Sequence, residues 1–188
     1  MNKIDYNDPK SFDGKSSHAL KYKVMYFESL YFSDMTMEDY EERLTLEEDD
    51  KGNKHISYFS YTLGDWVVIH ARLRECDGDC YGKHKTIRIK CGLDENSENE
   101  ALLHEMIHAY ISLLPKFHLS YLLLQFYDYL KKRIGQKKLN EYINYEAHKY
   151  NSDPSHDLLF MFKSLKLDLK LKKDLGTIYS YERQEIFR

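Results

Sequence analysis

The sequence predicts an α+β fold with an N-terminal helix, a small antiparallel sheet of about three strands, a long apolar helix and further C-terminal helices. Two observations carry this prediction. Between residues 43 and 90, short alternating segments are separated by turn residues, as is typical of strands. From residue 101 to residue 173, apolar side chains recur at helical spacing, with a break at Pro115. The 188 residues suffice for one hydrophobic core, so we expect residues 1–188 to form a single domain.

Composition and charge argue against several classes of protein. The net charge of −3 gives no general electrostatic case for binding nucleic acid. The segment after Met1 is too polar for a signal peptide, and no apolar run reaches the length of a membrane span. Three cysteines, an odd number, do not indicate a disulfide framework. We therefore expect a soluble cytoplasmic protein without membrane contact, and the sequence carries no signal of its oligomeric state.

The first predicted element is a helix over residues 16–32. Its apolar residues recur three and four positions apart and would lie on one face of the helix. They are Leu20, Val24, Phe27, Leu30 and Tyr31. Ser16 or Ser17 can cap this helix, because a serine side chain accepts hydrogen bonds from the free backbone N–H groups of the first turn.

Strands are predicted next. Residues 43–47 alternate, residues 55–61 are rich in aromatic side chains, and residues 66–73 follow a Gly-Asp turn. A second turn at residues 77–79 leads to residues 85–90, which alternate strictly. The cations of this last segment, Lys85, Arg88 and Lys90, would protect the edge of a sheet from pairing with another chain.

A long helix is predicted after the strands. Acidic and small polar residues at 94–100 suit the positive end of a helix dipole, and Pro115 cannot continue the helical hydrogen bonds. Nearly every residue between them is apolar, which predicts burial on several sides. His104, Glu105 and His108 interrupt this apolar stretch. Polar groups in such a place need a partner, because their burial is otherwise unfavourable.

These three residues form an HExxH motif. His104 and His108 are four residues apart, so both imidazoles lie on one helix face, as two ligands of a tetrahedral zinc ion require. Glu105 lies to one side, where it can act as general base on the metal-activated water. A short antiparallel sheet before such a helix is the zincin layout, and we expect the 85–90 strand, as an edge strand, to align an extended peptide by β-addition.

Helical spacing continues after Pro115. Residues 117–134, 137–150 and 155–173 each carry an apolar stripe, which we interpret as core packing. The lysine-rich ends of these segments are interpreted as solvated surface.

A catalytic zinc ion needs a third protein ligand, which the motif does not supply. A metzincin would have Gly at position 111 and His at position 114, and Ile111 and Leu114 exclude that class. A gluzincin would use a glutamate from a following helix, for which Glu141 and Glu146 are candidates.

Histidines offer further candidates for the third ligand. His118 follows Pro115 too closely to turn back toward the motif, which leaves His148 and His156. We favour His156, because it opens a strongly apolar helix that can be held rigidly against the first one. Asp153 or Asp157 could orient its imidazole. His148 and Glu146 stay as alternatives.

With these residues in view, the chain resembles the SprT-like family, which includes the Spartan proteases. Residues 103–110 are similar to the catalytic helix of that family almost letter for letter. His156 and Phe160 keep the spacing of its His-Gly-x-x-Phe segment, although Asp157 replaces the glycine. Residues 177–179 resemble a short extended stretch of the family that ends in tyrosine.

The resemblance implies a zinc metalloprotease in which Glu105 is the catalytic base. It implies three zinc ligands, namely His104, His108 and His156. The chain differs from Spartan-type members in two ways: residues 116–150 read as an inserted helical pair, and the chain ends at Arg188 without a C-terminal cysteine zinc ribbon. DNA-associated proteins as substrates, and DNA as a partner, are therefore only weakly supported.

The expected activity is zinc-dependent hydrolysis of peptide bonds in a protein or peptide substrate. Tyr179 is a candidate for stabilising the oxyanion. The alternative hypothesis is a non-proteolytic protein that contains zinc or associates with DNA and has a vestigial site.

Overall fold

The computed structural model describes residues 17–35, 44–48, 54–58, 62–149 and 156–179. Side chains are described for residues 17–35, 62–145 and 156–179. Within these ranges the chain forms five α-helices and five strands, and the predicted α+β class is confirmed. The helices are α1 (His18–Tyr31), α2 (Glu95–Leu113), α3 (Lys116–Ile134), α4 (Gln136–Lys149) and α5 (Leu158–Leu171). The strands are β1 (Leu44–Glu48), β2 (Lys54–Tyr58), β3 (Val67–Ala71), β4 (Gly78–Tyr81) and β5 (Thr86–Lys90).

The main sheet has three strands in the order β3-β5-β4, and it is mixed. β4 pairs antiparallel with β5, whereas β3 pairs parallel with β5. The prediction of an antiparallel sheet is therefore wrong for this part of the chain. The reason is that an additional strand, β4, begins inside the turn predicted at 77–79. β5 runs antiparallel to β4, which leaves it parallel to β3. β1 and β2 form a separate antiparallel pair.

β5 is the central strand, so the prediction that residues 85–90 form a sheet edge is also wrong. Thr86, Ile87, Arg88 and Ile89 are all buried. The charge of Arg88 misled the prediction, because its guanidinium is neutralised inside the protein. Its Nε donates to Asp79 Oδ1 at 2.7 Å, and its Nη2 donates to the hydroxyl of Tyr81 at 2.6 Å.

α2 ends where the sequence predicts, but it begins at Glu95, inside the acidic run at 94–100 rather than after it. Asp94 is the N-cap, and its Oδ1 accepts hydrogen bonds from the backbone N–H groups of Asn96 and Ser97 at 3.0 and 3.1 Å. The helix ends at Leu113, two residues before Pro115. One side of α2 packs on β4 and β5, and another packs on α5. α2, which carries two of the predicted ligands, is thus in direct contact with α5, the helix that follows His156.

The remaining helices surround this centre. The apolar stripe predicted for α1 is only partly buried. Leu20, Val24 and Phe27 are buried, but Leu30 is 44% exposed. Ser17 occupies the N-cap position of α1 without a capping side-chain bond, and its backbone N–H donates instead to Val68 in β3 at 2.8 Å. α3 packs on α5 and on α4. In the described part of the chain, no helix is both long and apolar enough to cross a membrane.

A buried charge fastens α5 to the end of α1. The Lys163 side chain is fully buried and donates to the Tyr31 carbonyl at 2.6 Å and to Asp34 Oδ1 at 2.5 Å. Lys166 donates to the other oxygen of Asp34 at 2.5 Å. Burial lowers the pKa of Lys163 to about 8, and the Asp34 carboxylate opposes this shift because it favours the charged lysine.

Candidate metal centre

Three histidines from two helical segments meet at one point. His104 and His108 lie one turn apart on α2, with ring centroids 5.0 Å apart. His156 lies just before α5, and its ring centroid is 5.1 Å from that of His104 and 4.8 Å from that of His108. One ligand nitrogen from each ring lies within 4.8 Å of the other two. In the described part of the chain, no other group of three potential ligands comes this close together.

The separation of two of the ligand nitrogens fits a zinc ion. Nitrogens bound to one tetrahedral zinc ion at about 2.0–2.1 Å are about 3.3 Å apart. The Nε2 atoms of His104 and His156 are 3.1 Å apart. Three neutral imidazoles with a position left for water are the ligand set of a catalytic rather than a structural zinc site. The three histidines could therefore hold zinc.

His104 is oriented by a bond behind its ring. Its Nδ1 is 2.7 Å from the carbonyl oxygen of Ile178. A carbonyl oxygen only accepts hydrogen bonds, so Nδ1 carries the proton and Nε2 presents its lone pair to the other histidines. Metal-binding histidines are commonly held in this way.

Phe160 packs against all three histidine rings. Its ring centroid is 4.7 Å from His104, 4.3 Å from His108 and 4.7 Å from His156. The ring is fully buried, so it keeps water away from the inner side of the histidines. Phe160, four residues after His156, lies in the first turn of α5.

The segment around His156 is fixed by two neighbours. Asp157 is the N-cap of α5, and its Oδ1 accepts from the Phe160 backbone N–H at 2.9 Å. It thus serves the helix start rather than the imidazole for which we proposed it, and Asp153 lies outside the described residues. The hydroxyl of Tyr179 donates to the His156 carbonyl at 3.4 Å.

Glu105 lies beside the histidines and is 5% exposed. Burial raises its pKa well above the ordinary value, and the nearby Asp79 carboxylate adds to the rise. Gly78 in β4 packs directly on this side chain. A Cβ at position 78 would lie 2.8 Å from Glu105 Cγ and 2.9 Å from its Oε1, so a larger residue there would require the Glu105 side chain to shift.

A cavity of about 380 Å³ opens onto the cluster. Its wall consists of Glu75, Cys76, Asp77, Gly78, Glu100, Ala101, His104, Glu105, His156, Thr177 and Ile178. None of these is lysine or arginine, and two of the acidic ones have cationic partners outside the wall. Asp77 pairs with Lys90 at 3.0 Å, and Glu100 pairs with Lys173 at 2.6 Å.

Other predicted site residues lie elsewhere. Tyr179 is fully buried behind His156 and is absent from the cavity wall, so its role as oxyanion stabiliser stays a prediction. His118 is buried in α3 beside Tyr121 and Glu141 is exposed, and neither belongs to the cluster. The side chains of Glu146 and His148 lie outside those that the structure describes.

Sequence reasoning missed two features of the site. The resemblance matched residues 177–179 to an extended stretch, whereas Leu175–Tyr179 forms turns, and the Ile178 carbonyl is the part that contacts His104. Gly78 was assigned to a turn, although its closeness to Glu105 is what matters. Neither feature has a sequence signal, since a backbone carbonyl is common to every residue and a glycine fits many turns.

A scan against models of protein families, a search of curated proteins and a search of solved structures each found no match to this chain. Membership of the SprT-like family therefore stays a prediction that depends on the residues of the motif.

Proposed function

We propose that this protein is a zinc metalloprotease of the SprT-like, zincin type that hydrolyses peptide bonds. One observation supports the proposal above the others. Three imidazoles converge next to a buried carboxylate, and two of them, His104 and His156, line the same cavity as Glu105. A structural zinc site would have four protein ligands and no need of a base, whereas His104, His108 and His156 leave the fourth position to water.

Glu105 is the general base of the proposed reaction. Zinc bound by the three histidines would supply Lewis acidity, lowering the pKa of a water molecule and polarising the substrate carbonyl. Glu105 accepts a proton from the attacking water and passes it to the departing amine.

β4 is the strand that we propose for aligning the substrate, in place of β5. Among the described strands β4 pairs with β5 alone, so its other edge faces away from the sheet. Gly78, the first residue of β4, and Asp77, which precedes it, also line the cavity. An extended peptide bound along this edge would pass over Glu105. The acidic cavity wall gives no support for nucleic acid at the site itself, since it would repel phosphate.

Metal content and cleavage together test the proposal. Purified wild type loaded with zinc should bind one ion per chain and cleave an unfolded protein such as casein. His156→Ala should lose most of the zinc and all cleavage. His84→Ala is the matched control, because His84 is exposed on a short 3-10 helix, Gly82–His84, between β4 and β5.

Two outcomes would contradict the proposal. Wild type that takes up no zinc would remove the metal centre. Wild type that binds zinc through His156 but cleaves no protein or peptide in a broad panel would favour the alternative, a binding protein with a vestigial site.

A further inference from the structure

Asp168 is a buried carboxylate that the proposed reaction does not use. It lies on α5, and its side chain is fully buried. A buried carboxylate is unfavourable unless it is hydrogen-bonded, and apolar packing usually fastens a helix to a loop at lower cost. The presence of Asp168 at this position therefore needs an explanation beyond packing.

The partners of Asp168 all belong to one turn. Its Oδ2 accepts the backbone N–H of Gly176 at 2.8 Å, and its Oδ1 accepts the backbone N–H of Ile178 at 3.1 Å. Gly176 has a φ of +90°, in the region that favours glycine. Two hydrogen bonds and one backbone constraint thus hold Ile178 in a single position against α5.

The other end of the same residue reaches the metal centre. The Ile178 carbonyl oxygen is 2.7 Å from His104 Nδ1, and the Ile178 side chain is buried. Asp168 thus holds the N–H of the same residue whose carbonyl contacts His104, so a shift of this N–H would move the carbonyl as well. The path from Asp168 to His104 consists of two hydrogen bonds joined by one rigid residue.

We infer that Asp168 is a positioning residue, which fixes the Nδ1-protonated tautomer and the orientation of His104 through the backbone of Ile178. The inference rests on the proposed function only for the identity of the metal. The expected tautomer of His104 applies to the metal-free protein as well, so the inference and the proposed function can be tested separately.

The test compares Asp168→Asn with wild type. The asparagine has the same shape, but its amide nitrogen is a donor and cannot accept from the backbone N–H that it faces. Lys163→Met is the matched control, because it also removes a buried charge from α5, at a site that contacts Tyr31 and Asp34 instead. Gly176→Ala is the second variant, since it disturbs the same turn and leaves Asp168 in place.

The first readout is the ¹⁵N NMR signature of His104 in metal-free protein at about pH 8, where histidines are neutral. Wild type and Lys163→Met should show one tautomer, with well-separated Nδ1 and Nε2 shifts. In Asp168→Asn and Gly176→Ala these shifts should move toward each other as both tautomers become populated. His156 also faces this ring, so the spectra are repeated in the His156→Ala background.

The second readout is zinc affinity by chelator competition. We expect Asp168→Asn and Gly176→Ala to bind zinc about tenfold more weakly than wild type, and Lys163→Met to bind it equally well. His104 shifts that stay those of wild type in Asp168→Asn and Gly176→Ala would overturn the inference. Wild type with a single His104 tautomer but no zinc uptake would overturn the proposed function and leave the positioning role of Asp168 standing.

Discussion

Two buried carboxylates flank the histidine cluster, and they differ in their partners. Asp168 accepts two backbone hydrogen bonds. Glu105 has no hydrogen-bond partner among the described residues and faces the cavity. Burial raises the pKa of both groups, to about 7 for Asp168 and well above the ordinary value for Glu105. The same burial thus accompanies two roles: the satisfied carboxylate holds backbone in place, and the unsatisfied one is kept available for a proton.

The largest effect should come from neutralising the unsatisfied carboxylate. Glu105→Gln should retain zinc and the fold, and it should lose about 10²- to 10⁴-fold in the rate of cleavage, the range typical of a general base. In metal-free protein it should also unfold at a higher temperature, because a buried group that opposes ionisation destabilises the fold at neutral pH. Cleavage kinetics, zinc content and thermal unfolding check these expectations.

The control for this variant is Glu100→Gln. Glu100 lines the same cavity but pairs with Lys173, so its neutralisation should change cleavage far less. A Glu105→Gln protein as active as wild type would remove Glu105 from the mechanism and end the contrast with Asp168.

A smaller effect should follow from displacing Glu105 without changing its chemistry. Gly78→Ala brings a methyl group to within 2.8 Å of Glu105 Cγ. Gly82→Ala makes an equally close contact with Ser112 on the same helix, at 2.9 Å and away from the cavity wall. Both variants should lose about 1–3 kcal/mol of stability through overpacking. Only Gly78→Ala should lower the rate of cleavage, by roughly tenfold or more, if a shifted base catalyses poorly.

Denaturant unfolding and cleavage rates, measured side by side, check this pair. Equal losses of activity in the two alanine variants would mean that the spacing between β4 and α2, rather than the position of Glu105, controls the rate.

The sequence predicts the site better than the sheet, for physical reasons. The end of α2 follows from Pro115, whose effect on a helix is local, whereas its start lies inside the acidic run at 94–100 rather than after it. The pairing of β5 depends on Asp79, nine residues earlier, whose carboxylate allows Arg88 to be buried. His156 was proposed from its place at the start of an apolar helix, and the structure brings it to the pair on α2. The turn at 173–179 could not be predicted, because it is held by backbone groups that contact Asp168 and His104.

The last prediction concerns stability rather than cleavage, namely the pH dependence that Asp168 gives to folding. Its pKa is raised to about 7 in the folded protein, from an ordinary value near 3.8. Between these two values the folded state binds more protons than the unfolded state, so Asp168 makes the protein less stable as pH rises from about 4 to about 7, and its contribution is constant above that range. Asp168→Asn lacks this contribution, whereas Glu105 and the histidines are common to both proteins and largely cancel in the comparison. The free energy of unfolding of wild type, relative to that of Asp168→Asn, should therefore fall across this range by at most about 4 kcal/mol.

A difference that stays constant with pH would mean that the two backbone hydrogen bonds outweigh burial and keep Asp168 ionised throughout. Asp168 and Glu105 would then differ in charge state at neutral pH as well as in their partners.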